Sequence, residues 1–308
     1  MLTSFFSTTK PINYVFTLVV FAIGFALSRY YSFNDADFLQ YTSISIGIFL
    51  LFLFLFWLYN FIVKRNKMAY ETSNVVLLLM LFLIAFPQTF SHWDLCLAAL
   101  FLLLGLRRIY SLGSQMDTKK KIFDATLFVL VASLFYFWSI AFLVLVYIGI
   151  LFYARTDYKN WMLPFVSMLV FVLLVVTYAL YSNGIKAFLS AYYQSPQLVN
   201  FTSFSIHRIV PYVIFGLLLQ IVMVTYTGFL RDTQQRFKSS YRLIIITAMI
   251  ALTIVFVLAP VHDGRELLFL GFPFVVMFSR LLESQANFWV REIMLALLLA
   301  LPLIQLLF

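Results

Sequence analysis

The chain has 308 residues, of which 64% are hydrophobic and 11% are charged, and its mean hydropathy is +0.99. Charged residues make up roughly a quarter of an ordinary soluble domain, so this composition excludes one and predicts a chain that folds in lipid. The net charge of +9 is not gathered on a soluble module, so nucleic acid is not a predicted partner. The single cysteine, Cys96, lies in an apolar run and predicts neither a disulfide framework nor a cysteine metal site.

Long apolar runs recur along the chain and predict an all-α, polytopic integral membrane protein. A transmembrane helix needs about 20 apolar residues, slightly fewer where aromatic and basic residues flank it. The first run leads into Arg29-Tyr30-Tyr31 without a small-residue cleavage pattern, so we expect it to be retained as a span. The predicted spans are 11–28, 41–63, 74–90, 93–106, 122–137, 139–153, 162–181, 209–230, 243–259, 267–278 and 293–308. These eleven spans form one helical transmembrane domain over residues 1–308; the fourth, fifth, sixth and tenth are short, and one of them is a candidate re-entrant hairpin.

Residues 107–121, RRIYSLGSQMDTKKK, form the densest cationic segment and fix the predicted orientation. Cationic loops stay on the cytoplasmic side, because moving several ammonium and guanidinium groups across a bilayer against the membrane potential is costly. With this loop inside, the amino terminus is cytoplasmic and the carboxyl terminus periplasmic. Seventeen of the 21 Lys and Arg residues then lie inside, and four lie outside: Arg29, Lys186, Arg208 and Arg265. The asymmetry predicts a multi-pass membrane protein with this orientation.

The same cationic segment has two possible roles. Its bases either anchor the topology or dock a cytosolic partner or anionic lipid. The residues concerned are Arg107, Arg108, Lys119, Lys120 and Lys121.

Two carboxylates follow the first span, in Asn34-Asp35-Ala36-Asp37. Neighbouring carboxylates at a low-dielectric boundary can differ in pKa, so that one of them acts as a general base. The alternative is that these residues cap the second helix, since Asp37 precedes Phe38-Leu39-Gln40-Tyr41. Both interpretations stay open, with Asp35 and Asp37 as candidate catalytic residues.

The turn Pro260-Val-His262-Asp263-Gly264-Arg265-Glu266 is the densest polar segment between two predicted outer-facing span ends. Arg265 is a candidate phosphate ligand, and His262, oriented by Asp263, is a candidate for proton transfer. The alternative is a polar turn whose Arg265–Glu266 and His262–Asp263 pairs are solvated among lipid headgroups.

The longest polar loop, residues 182–208, is predicted to lie outside and to be interfacial. It carries two of the outer bases, Lys186 and Arg208, as candidate anion ligands. Its aromatic residues suit the membrane interface or stacking on a sugar or headgroup: Tyr192, Tyr193 and Phe201.

A metal site is the last chemical hypothesis. His92, His207 and His262 all fall in predicted outer loops, with Asp94 and Asp263 close in sequence to two of them. None of the three has a ligand partner at helical spacing, so we predict no metal site and no cofactor. The sequence also lacks GxGxxG, P-loop, HExxH and nucleophile-elbow motifs.

Three stretches together resemble a known family: SFFSTTKPINY, LRRIYSLGSQMDTKKKIFDATLFVLVASLFYFWS and DYKNWMLPF. They are similar to an inner-membrane family of Bacteroidota without an established activity, some of whose members carry the label beta-carotene 15,15'-monooxygenase. That label implies an iron site built from histidines within spans, whereas the three histidines of this chain are predicted to lie in loops.

A looser similarity is to multi-span glycosyltransferases and polymerases that use polyprenyl-linked sugars. It implies an acidic residue in the first outer loop, Asp35 or Asp37, and outer bases that hold a lipid phosphate, Arg208 and Arg265.

Three functions follow as hypotheses. The first is a non-catalytic integral subunit of an envelope complex for secretion, insertion or assembly, whose partners are membrane lipid and other envelope proteins. The second is an outer-leaflet enzyme acting on a polyprenyl-phosphate-linked glycan, and the third is a transporter.

Overall fold

The computed structural model describes residues 11–31, 38–69, 75–90, 92–182, 184–197, 206–285 and 287–307. Within these ranges the chain is all-helical and contains no strand, which confirms the predicted all-α class. The twelve α-helices of the described residues are α1 (Pro11–Tyr31), α2 (Phe38–Arg65), α3 (Val75–Ala85), α4 (Trp93–Tyr110), α5 (Thr118–Phe135), α6 (Leu143–Tyr153), α7 (Tyr158–Tyr181), α8 (Ile185–Tyr192), α9 (Ile206–Asp232), α10 (Gln235–Thr253), α11 (Leu267–Ser284) and α12 (Phe288–Leu307).

Seven helical segments of the described residues are long and apolar enough to cross a membrane. They are Ile12–Tyr30, Leu39–Arg65, Trp93–Ser114, Tyr158–Tyr181, Val210–Arg231, Phe237–Leu258 and Leu267–Ser284. Each overlaps a predicted span, so the membrane-protein class follows from composition and from helix length together.

Of the four other predicted spans, the eleventh falls on α12 and three fall on helices that are shorter or more polar. Helix α3 has 11 residues, about 16 Å at 1.5 Å per residue, against a hydrocarbon core of about 30 Å. Helix α6 also has 11 residues and follows a 3-10 segment, Phe137–Phe142. Helix α5 has 18 residues, but it is apolar only from Ala125 onward because Lys119, Lys120, Lys121 and Asp124 occupy its start.

Two of the four short predicted spans are long helical segments in the structure. The fourth continues through α4 and a 3-10 turn to Ser114, and the tenth continues through α11 to Ser284. The tenth span is predicted to end at residue 278, before Arg280. Arg280 instead lies within α11 and is buried, because its guanidinium group has hydrogen-bond acceptors inside the protein.

The chain forms two compact units. The first is drawn from Met1–Trp93, Val199–Ala248 and Asp263–Phe308, and the second from Asp94–Leu198 and Met249–His262. The single domain expected from the sequence stays a prediction.

Helix α3 is the core of the first unit. It packs against α1, α2, α11 and α12, and ten of its 11 residues are buried. Helix α11 is buried from Leu267 to Leu281 and approaches α3 closely at Gly271, where a Cβ atom would lie 2.6 Å from the Phe82 ring. Phenylalanines fill the remaining space with tilted and edge-on ring pairs: Phe82, Phe86, Phe215 and Phe274. The apolar α3 and α11 therefore stabilise each other by burial rather than by facing lipid.

In the second unit, α5 packs along α7, and Ser167 Oγ donates a 3.0 Å hydrogen bond to the Phe123 carbonyl between them. Two irregular segments also meet here. The 3-10 segment Phe137–Phe142 contacts Ile254–Leu258, a π-helical turn that follows α10. A π-turn widens the helix by one residue and leaves a carbonyl available for an outside donor.

Candidate functional site

The boundary between the two units falls between His262 and Asp263, inside the polar turn singled out from the sequence. Arg265 lies in the first unit, and its Nε is 3.2 Å from Glu266 Oε1 and 3.6 Å from Asp263 Oδ1. Its side chain is 16% exposed and that of Glu266 is 1% exposed, so the ion pair is buried. One of the two interpretations of this turn was an Arg265–Glu266 ion pair solvated among lipid headgroups. The structure contains this ion pair, but the pair is buried.

Two further elements of the first unit reach this turn. Arg265 Nη1 lies 3.4 Å from His92 Nε2, just before α4. An arginine N–H only donates, so this contact uses His92 Nε2 as the acceptor and places the imidazole proton on Nδ1. Tyr212 of α9 donates its hydroxyl to the Asp263 carbonyl at 3.2 Å. We call Arg265 and these neighbours the Arg265 cluster: His92, Tyr212, Asp263, Arg265 and Glu266.

Gly264 lets the turn adopt its shape. Its φ of +92° lies in the left-handed region that side chains with a Cβ rarely enter. A Cβ at this position would also lie 2.2 Å from the Tyr212 hydroxyl. The close contact with Tyr212 and the backbone conformation both require glycine here.

Burial controls the electrostatics of the cluster. Loss of water around Glu266 raises the pKa of its carboxyl group, and the nearby Asp263 adds to this effect, while hydrogen bonds and Arg265 oppose it. The net direction is upward from the ordinary value of 4.5. Desolvation therefore exceeds the attraction of the arginine, as is common for buried ion pairs.

His262 lies in the second unit and has different partners from the one predicted. Its Nδ1 is 3.0 Å from the Val255 carbonyl oxygen of the π-turn, and its Nε2 is 2.6 Å from the Gln197 carbonyl oxygen. Carbonyl oxygens accept hydrogen bonds, so both ring nitrogens of His262 face acceptor groups of the backbone. The Gln197 amide donates to the Ala259 carbonyl at 3.2 Å, which ties the same segments together. His262 thus joins the backbone at Val255 to the backbone at Gln197, and both of its ring nitrogens face these carbonyl groups rather than a substrate.

The remaining candidates from the outer loops divide into described and undescribed residues. Lys186 is exposed on α8, a helix with no buried residue. The side chain of Arg208 lies outside the described residues, as do Asp35 and Asp37 and the side chain of His207. Their proposed roles as base or phosphate ligand stay predictions.

Arg29, the fourth predicted outer base, has a structural role that the sequence did not indicate. Its side chain is buried, with Nε donating to Ser45 Oγ at 3.0 Å. The guanidinium group also lies 4.5 Å from the centre of the Tyr41 ring, and the Tyr41 hydroxyl donates to the Arg29 carbonyl at 2.6 Å. Arg29 therefore joins α1 to α2. In the sequence, this contact could have been suspected only because Arg29 and Tyr41 flank the same predicted loop. Many pairs of residues flank a loop in this way without touching, so the spacing does not identify the contact.

Arg280 is the second residue whose role the sequence missed. Its Nε donates to the Met68 carbonyl at 2.8 Å, and its Nη2 donates to the Lys67 carbonyl at 3.0 Å and the Tyr241 hydroxyl at 2.7 Å. Lys67 adopts a left-handed φ of +51° just after α2 ends. Arg280 therefore satisfies two backbone carbonyl groups in the turn that follows α2, where no regular secondary structure provides them with a donor. The sequence analysis counted it only as a topology signal.

The cationic segment is held by bonds within the second unit. Arg108 pairs with Asp124 at 2.9 Å, and Lys121 Nζ donates to the Ser111 carbonyl at 2.8 Å and to Ser114 Oγ at 2.7 Å. Lys119 Nζ lies 3.6 Å from Asp157 Oδ2, and Lys120 Nζ lies 3.9 Å from Asp117 Oδ1. Asp124, an unusual charge near the start of a predicted span, thus has a partner on α4.

Among the residues that the structure describes, no group of three or more His, Cys, Asp or Glu side chains is arranged to hold a metal ion.

The family of the chain follows from a match over nearly its whole length. A family model described as a family of unknown function, DUF6427, matches residues 3–308. The chain belongs to this family. No curated protein and no solved structure matches it. Membership agrees with the predicted family without an established activity, while its taxonomic range and any similarity to glycosyltransferases stay predictions.

Proposed function

We propose that this DUF6427 protein is a non-catalytic integral subunit of a larger envelope complex, one that acts in secretion, insertion or assembly. In this proposal the chain crosses the bacterial inner membrane eleven times, with its amino terminus in the cytoplasm. The distribution of basic residues supports the orientation, since 17 of the 21 lie in predicted inner segments.

The observation that carries the proposal is the engagement of the candidate chemical groups by the protein itself. Arg265 is paired with Glu266 and Asp263, Arg29 binds Ser45, and both nitrogens of His262 face backbone carbonyls. A catalytic or phosphate-binding group needs donors or lone pairs that are open to substrate. These residues use their hydrogen-bonding capacity to join segments of the fold, which is the pattern expected of a structural subunit.

Exposed apolar helix faces support the same proposal. Along α7, large apolar side chains are exposed on most turns, and only five residues of the helix are buried. Helices α1, α2 and α9 expose further apolar residues, among them Val15, Trp57 and Val224. Such faces contact lipid tails or other membrane helices, and the two occupants are distinguished by crosslinking.

The test is to place a photoreactive phenylalanine analogue at exposed positions and irradiate cells that produce the protein. The exposed positions are Val15, Trp57, Leu173 and Val224, on four different helices. We expect at least one of them to give a discrete heavier band containing a second polypeptide. The matched control is Phe52, which is fully buried on the same helix as Trp57 and should give no intermolecular product.

If all four exposed positions gave only lipid adducts, the proposal would be wrong. In that case the enzyme hypothesis takes its place, with Asp35 or Asp37 as base and Arg208 and Arg265 as phosphate ligands. It predicts that polyprenyl phosphate co-purifies with the wild-type chain and is lost on Arg265→Gln substitution.

A further inference from the structure

One end of the second unit carries a concentration of exposed positive charge. Lys119, Lys120, Arg155 and Lys159 are all exposed, and we call these four residues the cationic face. The Lys119–Asp157 contact at 3.6 Å joins the start of α5 to the turn before α7, so the four bases lie on neighbouring loops. Lys120 has the most exposed charge of the segment, with 82% of its side chain accessible.

Hydrogen bonds within the unit hold this face in place. The Asp157 side chain accepts from the Lys159 amide at 3.0 Å, Asn160 Nδ2 donates to the Ala154 carbonyl at 3.0 Å, and Trp161 Nε1 donates to the Arg155 carbonyl at 3.4 Å. Asp157 and Asp117 offset part of the charge, so the face keeps a net positive charge. The backbone that presents Arg155 and Lys159 is therefore fixed before any ligand binds.

The cationic face continues directly into an apolar surface. Helix α7 begins beside it and exposes Met162, Phe165, Val166 and Leu169 in its next three turns. The helix has 24 residues, about 36 Å, which is enough to cross the hydrocarbon core. Tyr158, which lies between Arg155 and Lys159 in sequence at the start of α7, is 72% exposed, as is typical of aromatic residues at the membrane interface.

From this arrangement we infer that the cationic face binds the headgroups of anionic phospholipids whose acyl chains lie along α7. A soluble acidic partner would match the charge alone, whereas a phospholipid matches the bases and the adjoining apolar surface at the same time. The two groups of basic residues differ in role. Arg108 and Lys121 hold the segment through Asp124, Ser111 and Ser114, while Lys120, Arg155 and Lys159 face the lipid.

The experiment uses the full chain in mild detergent with equimolar phosphatidylglycerol and phosphatidylcholine, and native mass spectrometry counts the lipids retained. We expect the wild type to retain phosphatidylglycerol preferentially. The triple variant Lys120→Gln/Arg155→Gln/Lys159→Gln should lose this preference, by a factor on the order of a hundredfold, since each of the three bases contributes an about five-fold factor in affinity near an anionic surface. Its thermal midpoint should stay that of the wild type, because the three side chains are exposed.

The control removes three exposed bases from the ends of α2 and α9: Lys64→Gln/Arg65→Gln/Arg231→Gln. It should keep the preference. Conversely, Lys121→Gln should lower the thermal midpoint and leave the preference in place. Equal retention of the two lipids by the wild type, or an equal loss in the control variant, would overturn the inference. If the triple variant fails to fold, Lys120→Gln alone gives the same test, and an unchanged preference would count against the inference.

Discussion

At the scale of single residues, the cost of burying charge explains the Arg265 cluster. Glu266 is almost completely buried, and a carboxylate at such a position loses its hydration. The Arg265 guanidinium group restores part of what water supplied to Glu266, and Arg265 is itself held by contacts with Asp263 and His92. Removing one partner from such a cluster lowers the folding stability by more than the ion pair adds to it, because the other partner is left buried without a hydrogen bond or opposite charge.

Gly264→Ala should destabilise the protein by about 1–3 kcal/mol, because alanine is strained at φ +92° and its Cβ meets the Tyr212 hydroxyl. Thermal unfolding in detergent, followed by tryptophan fluorescence, measures the loss. The matched control is Gly184→Ala, where φ is +88° but nothing lies within 4 Å of the new Cβ. Gly184→Ala should lower the folding stability by less than Gly264→Ala. Tyr212→Phe should partly rescue Gly264→Ala, and equal losses for the two glycine variants would contradict the role of the contact.

Glu266→Gln should change how stability depends on pH. The carboxyl pKa is raised in the folded state, so the folded protein binds more protons than the unfolded chain between 4.5 and the raised value. The wild type therefore loses stability as pH rises through this window, and the glutamine variant does not. We expect the thermal midpoint of the variant minus that of the wild type to increase as pH rises from 4.5, measured in one detergent at constant ionic strength. A difference that is constant with pH would show that Glu266 does not titrate in this way.

At the scale of elements, α11 is held near both ends by arginines. Arg265 lies just before its first residue, and Arg280 lies near its last turn with acceptors on the segment after α2 and on α10. Because α11 packs against α3 and α9 along its length, these contacts fix one buried helix against several others. Helices α3 and α11, both largely buried and packed against each other, therefore form the centre of the first unit.

Arg280→Gln should destabilise the first unit by about 3 kcal/mol, because the Lys67 and Met68 carbonyls and the Tyr241 hydroxyl lose a charged donor. Arg280→Lys should recover only part of the loss, since one ammonium group does not reproduce the planar fork of the guanidinium group. Limited proteolysis after residue 65, together with the thermal midpoint, reports the effect. Arg231→Gln is the control, because Arg231 is exposed at the end of α9. Equal midpoints for Arg280→Gln and Arg231→Gln would contradict the structural role.

The helices could be predicted from the sequence where apolar runs are long. The spans at α1, α2, α7, α9 and α10 follow from hydropathy, because lipid requires a continuous apolar segment. The end of α11 could not be predicted, because Arg280 looks like a loop charge until its acceptors after α2, more than 200 residues away in sequence, are known. The partners of His262 were missed for the same reason: backbone carbonyls carry no sequence signature.

At the scale of the whole molecule, the apolar composition predicted a membrane protein. The structural roles of Arg29, Arg265 and Arg280 became evident only from their contacts within the first unit. The polar turn at residues 260–266, singled out from the sequence, contains the buried Arg265–Glu266 pair and His262. Its proposed chemistry stays a prediction, and the contacts of these residues could not be derived because the sequence gives the residue types but not their partners. Charges that the fold itself engages favour a structural subunit, which is the central claim.

The most direct test of that claim is purification of a tagged chain from its native membrane in mild detergent, with mass spectrometry of all components. A structural subunit should co-purify with another envelope protein at a fixed molar ratio, in a particle well above the 35.9 kDa of this chain. A single chain that carries bound polyprenyl phosphate or glycolipid would contradict the claim, and Asp35, His262 and Arg265 would then be the first residues to substitute.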